Sequence, residues 1–294
     1  MNQAKGFNNK AKMALYSDDI FRAIARRNHI EWLLHKVHFN RDFQLYYQPQ
    51  FSTQNCRLVG MEALLRWRHP DEGFISPGEF IPIAEAIGMI PELSTWTFNA
   101  AMEQMAKWLK TFQEVFEETN DKKNIRMGIN VSALLFDCVD FLPALENACK
   151  SHSIAPEWFD LEITETGAMN ASDHVEGIFA YLSKVGFTIS IDDFGTGYSS
   201  LSYLKRFSVH SVKIAKELID TVEYQHHDQL IIQAIIAISQ GMSLKTIAEG
   251  VETEAQFELL KKLGCDEIQG YYLGKPCSAE TFEAQYLLKG GIYV

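Results

Sequence analysis

Hydrophobic positions follow two periods along the chain. Between residues 17 and 38, Ile20, Phe21, Ile24, Ile30, Leu33, Leu34 and Val37 recur at helical spacing behind the capping types Ser17 and Asp18, which predicts one helix over 17–38. From Phe43 onward, short runs rich in β-branched and aromatic residues predict strands near 43–48, 57–65, 125–131, 158–163, 186–192, 211–214, 244–248 and 266–270. Between them lie helical patterns at 77–88, 93–117, 133–151, 170–184, 198–206, 216–240, 253–263 and 278–288. Such alternation implies a mostly parallel sheet covered by helices; eight strands favour closure into a barrel, while an open doubly wound sheet with extra strands stays possible. Only the eight residues Pro49 to Cys56 separate the first two strands. A parallel crossover needs about a dozen, so this pair should be an antiparallel hairpin. The expected fold is α/β, a TIM-like (β/α)8 barrel with an antiparallel first strand, preceded by an N-terminal helix. Residues 1–40 would form a polar segment and linker-like helix, and residues 41–294 the barrel domain.

Composition narrows the function. The 294 residues carry 27 basic and 38 acidic side chains, a formal net charge of −11, with 47% hydrophobic residues, which excludes a disordered chain. The acidic balance argues against binding duplex nucleic acid. Five widely spaced cysteines without a CxxC pair read as reduced thiols rather than a disulfide framework or a zinc site. The N-terminus lacks an apolar signal core, and the most apolar run, residues 230–238, is too short to span a bilayer. A cytoplasmic protein without a membrane segment is expected.

In an α/β barrel the chemistry sits at the C-terminal ends of the strands. Those ends carry Glu62, Asn130, Glu162, Asp192 with Asp193, Lys213, Glu249 and Gln269, in the second to eighth strands. Each alone has an ordinary reading as a helix cap or surface residue: Asp192-Asp193 could cap the helix after Gly197, and Asn130-Val131-Ser132 the one near Ala133. Together, five acids on one rim would raise one another's pKa values and repel unless cations neutralised them. Oxygen donors without histidine or cysteine point to hard ions, Mg²⁺, Mn²⁺ or Ca²⁺. Five carboxylates and an amide exceed what one Mg²⁺ takes from protein, which favours two ions, the usual device for phosphodiester hydrolysis. Lys213 would supply a fixed positive charge or orient the attacking water.

The segments that carry these residues resemble, in order, the EAL domain family of bacterial cyclic di-GMP phosphodiesterases. They are Tyr46-Tyr47-Gln48-Pro49, Glu62-Ala63-Leu64-Leu65-Arg66-Trp67, Pro77-Gly78-Glu79-Phe80-Ile81-Pro82, Asn130-Val131-Ser132, Glu162-Ile163-Thr164-Glu165, Asp192-Asp193-Phe194-Gly195-Thr196-Gly197-Tyr198-Ser199-Ser200-Leu201, Glu249-Gly250-Val251-Glu252 and Gln269-Gly270-Tyr271. The resemblance covers about residues 40–285. It implies hydrolysis of cyclic di-GMP to linear pGpG with two divalent cations, Mg²⁺ or Mn²⁺. By resemblance, Glu62, Asn130, Glu162 and Asp192 hold the first ion, and Asp192, Asp193 and Glu249 the second, with Asp192 bridging. Lys213 matches the catalytic lysine, Glu249 belongs to the catalytic set, and Gln269 supports the water network. Gln48, Leu64 and Arg66 resemble substrate contacts, with Arg66 placed to pair with a phosphate oxygen. Glu165 resembles the anchor of the loop Phe194 to Ser200. A homodimer is implied, and the helix at 17–38 is similar to linkers that follow an upstream GGDEF or sensor domain.

One position departs from the family pattern: Lys-x-Asp reads Lys213-Ile214-Ala215. Two functions therefore stay open, a hydrolase supported by the intact ligand set and a catalytically weak cyclic di-GMP receptor supported by Ala215. Other short matches fall away. Asp193-Phe194-Gly195 lacks the companion kinase loops, and Gly195-Thr196-Gly197 lacks Rossmann or P-loop spacing. His226-His227-Asp228 reads as a solvated cluster, and the apolar stretch 229–239 as core or a subunit interface.

Overall fold

The computed structural model describes residues 4–112, 125–169, 173–196 and 202–288. The strands are β1 (Phe43–Ser52), β2 (Leu58–His69), β3 (Gly73–Ile75), β4 (Arg126–Asn130), β5 (Phe159–Thr164), β6 (Thr188–Phe194), β7 (Ser211–Ile214), β8 (Lys245–Ala248) and β9 (Glu267–Gln269). They lie in the order β1-β9-β8-β7-β6-β5-β4-β2-β3, and pairing of β1 with β2 closes eight of them into a barrel. The ladders joining β2, β4, β5, β6, β7, β8 and β9 are all parallel. β1 alone among the barrel strands is reversed, antiparallel to β9 with Gln50 opposite Gln269. The first connection is thus a hairpin, as its length predicts, although β1 and β2 run longer than expected and leave only residues 53–57 between them.

Two compact units are distinguished, and the larger comprises residues 45–65 and 91–294. Alternation along its strands sends one set of side chains outward to the helices and the other into the barrel. The outward set, with Met61, Met127, Leu161, Ile163, Ile191 and Val212, is buried and apolar. Each such side chain contributes about 1.5–3 kcal/mol of burial. The inward set is polar and mutually bonded: Ser190 donates to Asp160 and pairs with Ser211, and Gln50 Nε2 donates to Gln269 Oε1 at 2.8 Å. The apolar runs seen in the sequence are therefore the outer half of each strand.

Two expected helices are broken. The span 133–151 divides into a 3₁₀ turn, Ala133–Asp137, begun by the Ser132 cap, and a helix, Phe141–Ser151. The span 216–240 divides into helices Lys216–Thr221 and His226–Gly241, and Gln229 Nε2 bonds the freed carbonyl of Val222 at 2.8 Å. The second of these is not core all round: Ile232, Ile235 and Ile236 are buried while Leu230 is half exposed.

The smaller unit comprises residues 1–44 and 66–90. Its helix α1 runs Ala4–Leu34, so Ser17 and Asp18 lie inside it rather than at its start. The segment before them, residues 4–16, is free of proline and carries three Ala and three Lys, which lets the helix pass through its capping types. Arg26 on α1 bridges Glu72 at 2.8 Å and Glu79 at 2.9 Å. Here β3, too short to leave a periodic signal, pairs antiparallel with the far end of β2, Ile75 opposite Trp67. No helix among the described residues is long and apolar enough to cross a membrane.

Candidate active site

Strand register assembles the acids. Glu62 lies opposite Gly128, Asn130 opposite Glu162, and Thr164 opposite Asp192, so successive strands present their polar ends at one mouth. Two consecutive aspartates should face opposite sides of a strand. Instead the β6–β7 ladder shifts register between Ile191 and Phe194, and Asp193 adopts a φ of 54°. This bulge breaks the alternation and turns both aspartates toward the mouth.

Lys213 has no exposed surface. Its Nζ lies 2.6 Å from Glu162, 2.7 Å from Glu249, 3.3 Å from Asp192 and 3.5 Å from Glu62. Burial opposes the ammonium, but the carboxylates of Asp192, Glu162, Glu249 and Glu62 outweigh it and hold the lysine well above its usual pKa. Burial likewise opposes ionisation of Glu62, yet Lys213 and hydrogen bonds from Gln269 and Asn130, each at 2.6 Å, keep it below the usual carboxylate range. For Glu162, burial and the charge on Glu62 win, raising it well above that range. Burial lifts Glu249 to about 8 against the pull of Lys213, and burial with the Asp192 charge raises Asp193. The Lys213 ammonium and the raised proton affinity of Glu162, Glu249 and Asp193 together reduce the repulsion. The expectation that neighbouring acids raise one another is right for three of them and wrong for Glu62, because it neglects the lysine beneath.

The donor set fits a hard divalent cation. Carboxylate oxygens of Asp192, Asp193 and Glu249 lie within 4.8 Å of one another. Glu162 Oε1 is buried without a hydrogen-bond partner, which leaves a lone pair that a cation would satisfy.

A cavity of about 290 Å³ sits at the mouth, lined by Gln48, Glu62, Asp192, Lys216, Glu249 and Gln269 among others. A larger one of about 460 Å³, bordered by Cys149, Ile154, Tyr181 and Phe187, contains none of the strand-end acids. Gln48 accepts from Gln269 Nε2 at 3.1 Å and donates to the Gly274 carbonyl at 3.1 Å. Leu64 is half-buried on β2, two residues past Glu62, and so shares its face. Arg66 is half-buried near the end of β2, in the smaller unit. Glu165 Oε2 accepts from the Gly195 amide at 3.0 Å; residues 197–200 of the loop expected there lie outside the described residues. His226 and His227 are exposed at a helix start.

Sequence reasoning missed three contributors. Gly128 leaves the space that the Glu162 side chain fills, since a Cβ there would come 2.1 Å from Glu162 Oε1. Gln50 orients Gln269 from below. Lys216 lines the cavity. Only the glycine left a signal, an interruption in a strand otherwise made of large residues.

The EAL domain family model matches residues 31–276. The bifunctional diguanylate cyclase/cyclic di-GMP phosphodiesterase MucR of Pseudomonas aeruginosa is 42% identical over 244 residues, covering 83% of this chain and 34% of that protein. Signaling protein YkoW of Bacillus subtilis is 37% identical over 282 residues, covering 96% of this chain and 34% of its own length. The solved structure described as PaMucR phosphodiesterase, c-di-GMP complex, superposes with a TM-score of 0.79 at 40% identity, covering 86% of this chain and 99% of that one. The chain spans about a third of the length of these curated relatives.

Proposed function

The chain belongs to the EAL domain family, and from that premise we propose that it hydrolyses cyclic di-GMP to linear pGpG with two divalent cations, Mg²⁺ or Mn²⁺. The observation that carries the reading is the convergence of Glu62, Glu162, Asp192 and Glu249 on the buried Lys213. In this reading Glu62, Asn130, Glu162 and Asp192 would hold one ion, and Asp192, Asp193 and Glu249 the other. When bound, such ions lower the pKa of a water and stabilise charge developing on phosphorus. The chain's own residues prepare the place. Lys213 stays charged at the base of the site and compensates the carboxylates that surround it. Gln269, tied to Gln48, Gln50 and Glu62, fixes the orientation of the polar floor. Gln48, Leu64 and Arg66 would contact the dinucleotide, with Arg66 on a phosphate oxygen. Glu165 secures the start of the loop through Gly195.

Purified protein incubated with cyclic di-GMP and Mg²⁺ or Mn²⁺ should yield pGpG, and chelator should abolish it. Ala215 favours a second reading, a cyclic di-GMP receptor with little turnover, which tight binding without product would establish instead. The proposal extends to a homodimer and to an upstream GGDEF or sensor domain in a longer protein. Sedimentation at micromolar concentration tests the first of these, and a monomer throughout would remove it.

A further inference from the structure

The mouth of the barrel poses an electrostatic problem for the substrate proposed above. A cyclic dinucleotide brings two phosphodiester charges to a cavity lined by Glu62, Asp192, Glu249 and Glu252. Lys213 has no exposed surface and is already engaged by four carboxylates, so it cannot reach a ligand. Among the described residues that line the cavity, Lys216 is the single cation. Its side chain is 47% exposed.

Its placement is built by the backbone beneath it. Gly250 has a φ of +70°, and a Cβ there would come 2.4 Å from Lys216 Cγ and 2.8 Å from Cδ. The aliphatic stem thus lies across a glycine that no other residue could replace without displacing it. At the tip, Nζ contacts Glu252 Oε1 at 2.6 Å and Asp220 Oδ1 at 2.9 Å. An ammonium has three donors, so these two leave one for a ligand. Both carboxylates are as exposed as the lysine. Water screens pairs of that kind, and exchanging one for a phosphate oxygen costs little.

We propose that Lys216 is a substrate-binding residue that takes an anionic phosphodiester oxygen of the cyclic dinucleotide. This deepens the cyclic di-GMP reading and rests on it. The stem over Gly250 sets where the charge sits, and Glu252 and Asp220 hold the ammonium at the mouth until substrate arrives. Lys216→Met keeps the stem and removes the charge, whereas Lys216→Arg keeps both. The methionine variant should raise KM for cyclic di-GMP at least about tenfold with kcat within about twofold, and the arginine variant should stay within about threefold of wild type in both. A methionine variant with wild-type KM overturns the proposal. Should that variant fail to fold, the wild-type protein decides. Ca²⁺, larger and less polarising than Mg²⁺, should bind without supporting hydrolysis; with it present, saturating cyclic di-GMP should protect Lys216 at least about fivefold from an amine-reactive label read by peptide mass spectrometry, and equal labelling overturns the proposal. A wild-type protein that neither binds nor cleaves cyclic di-GMP would instead remove the phosphodiesterase reading, and this inference with it.

Discussion

Protons, as much as charges, define this site at the scale of single residues. Glu249, lifted to about 8 mainly by burial, is protonated at neutral pH and must ionise before it can bind a cation. Metal affinity should therefore rise with pH up to about 8, by as much as about tenfold per unit, and level off above it. Calorimetric titration of Mn²⁺ at pH 6.5 and 8.5 checks this, and equal affinities would contradict it. Glu62→Ala removes the acceptor shared by Asn130 and Gln269 and should lower metal-dependent cleavage at least about 100-fold. Gly128→Ala should be nearly as damaging, about 100-fold, because its methyl would occupy the place of the Glu162 carboxylate. Unchanged circular dichroism would separate that displacement from misfolding. The strand-end acids were legible in the sequence because each closes an apolar run. Gly128 showed only as an interruption in its strand, and its role appears when β5 is laid beside it.

At the scale of elements, the bulge in β6 and the short helix Lys216–Thr221 matter most. The family pattern has an aspartate where this chain has Ala215, two residues past Lys213. Four carboxylates already hold Lys213, while Ala215 is fully buried at a helix N-cap without a side-chain cap bond. In the hydrolase reading Ala215→Asp should thus change kcat at saturating metal by less than about threefold; a rise of tenfold or more would favour the weakly active receptor reading instead. Gly250→Ala should cost about 1–2 kcal/mol, from its left-handed backbone, and lower the melting temperature by several degrees. The strands themselves were legible from period and residue type. The breaks at 138–140 and 222–225 were not, because hydrophobic spacing continues across them while only side-chain caps and freed carbonyls mark the interruption. Nor was the extent of α1, where helix propensity upstream of Ser17 outweighed the capping signal.

For the barrel as a whole, an apolar outer layer encloses a polar interior, and that interior is where cations and substrate would be accommodated. Closure followed from the count of eight strands, and the reversed first strand from one short connection, Pro49 to Cys56; β3, only three residues long, left no such signal. Metal binding to the folded state should raise stability, by about 2.7 kcal/mol at a hundredfold excess over Kd, and a melting temperature indifferent to Mn²⁺ would argue against a preformed site. The most direct measurement of the central claim is anomalous diffraction from crystals soaked in Mn²⁺. Two peaks are expected at the barrel mouth, one touching Asp192, Asp193 and Glu249 and the other Glu62, Asn130, Glu162 and Asp192. A soaked crystal with no anomalous density among these side chains would contradict it.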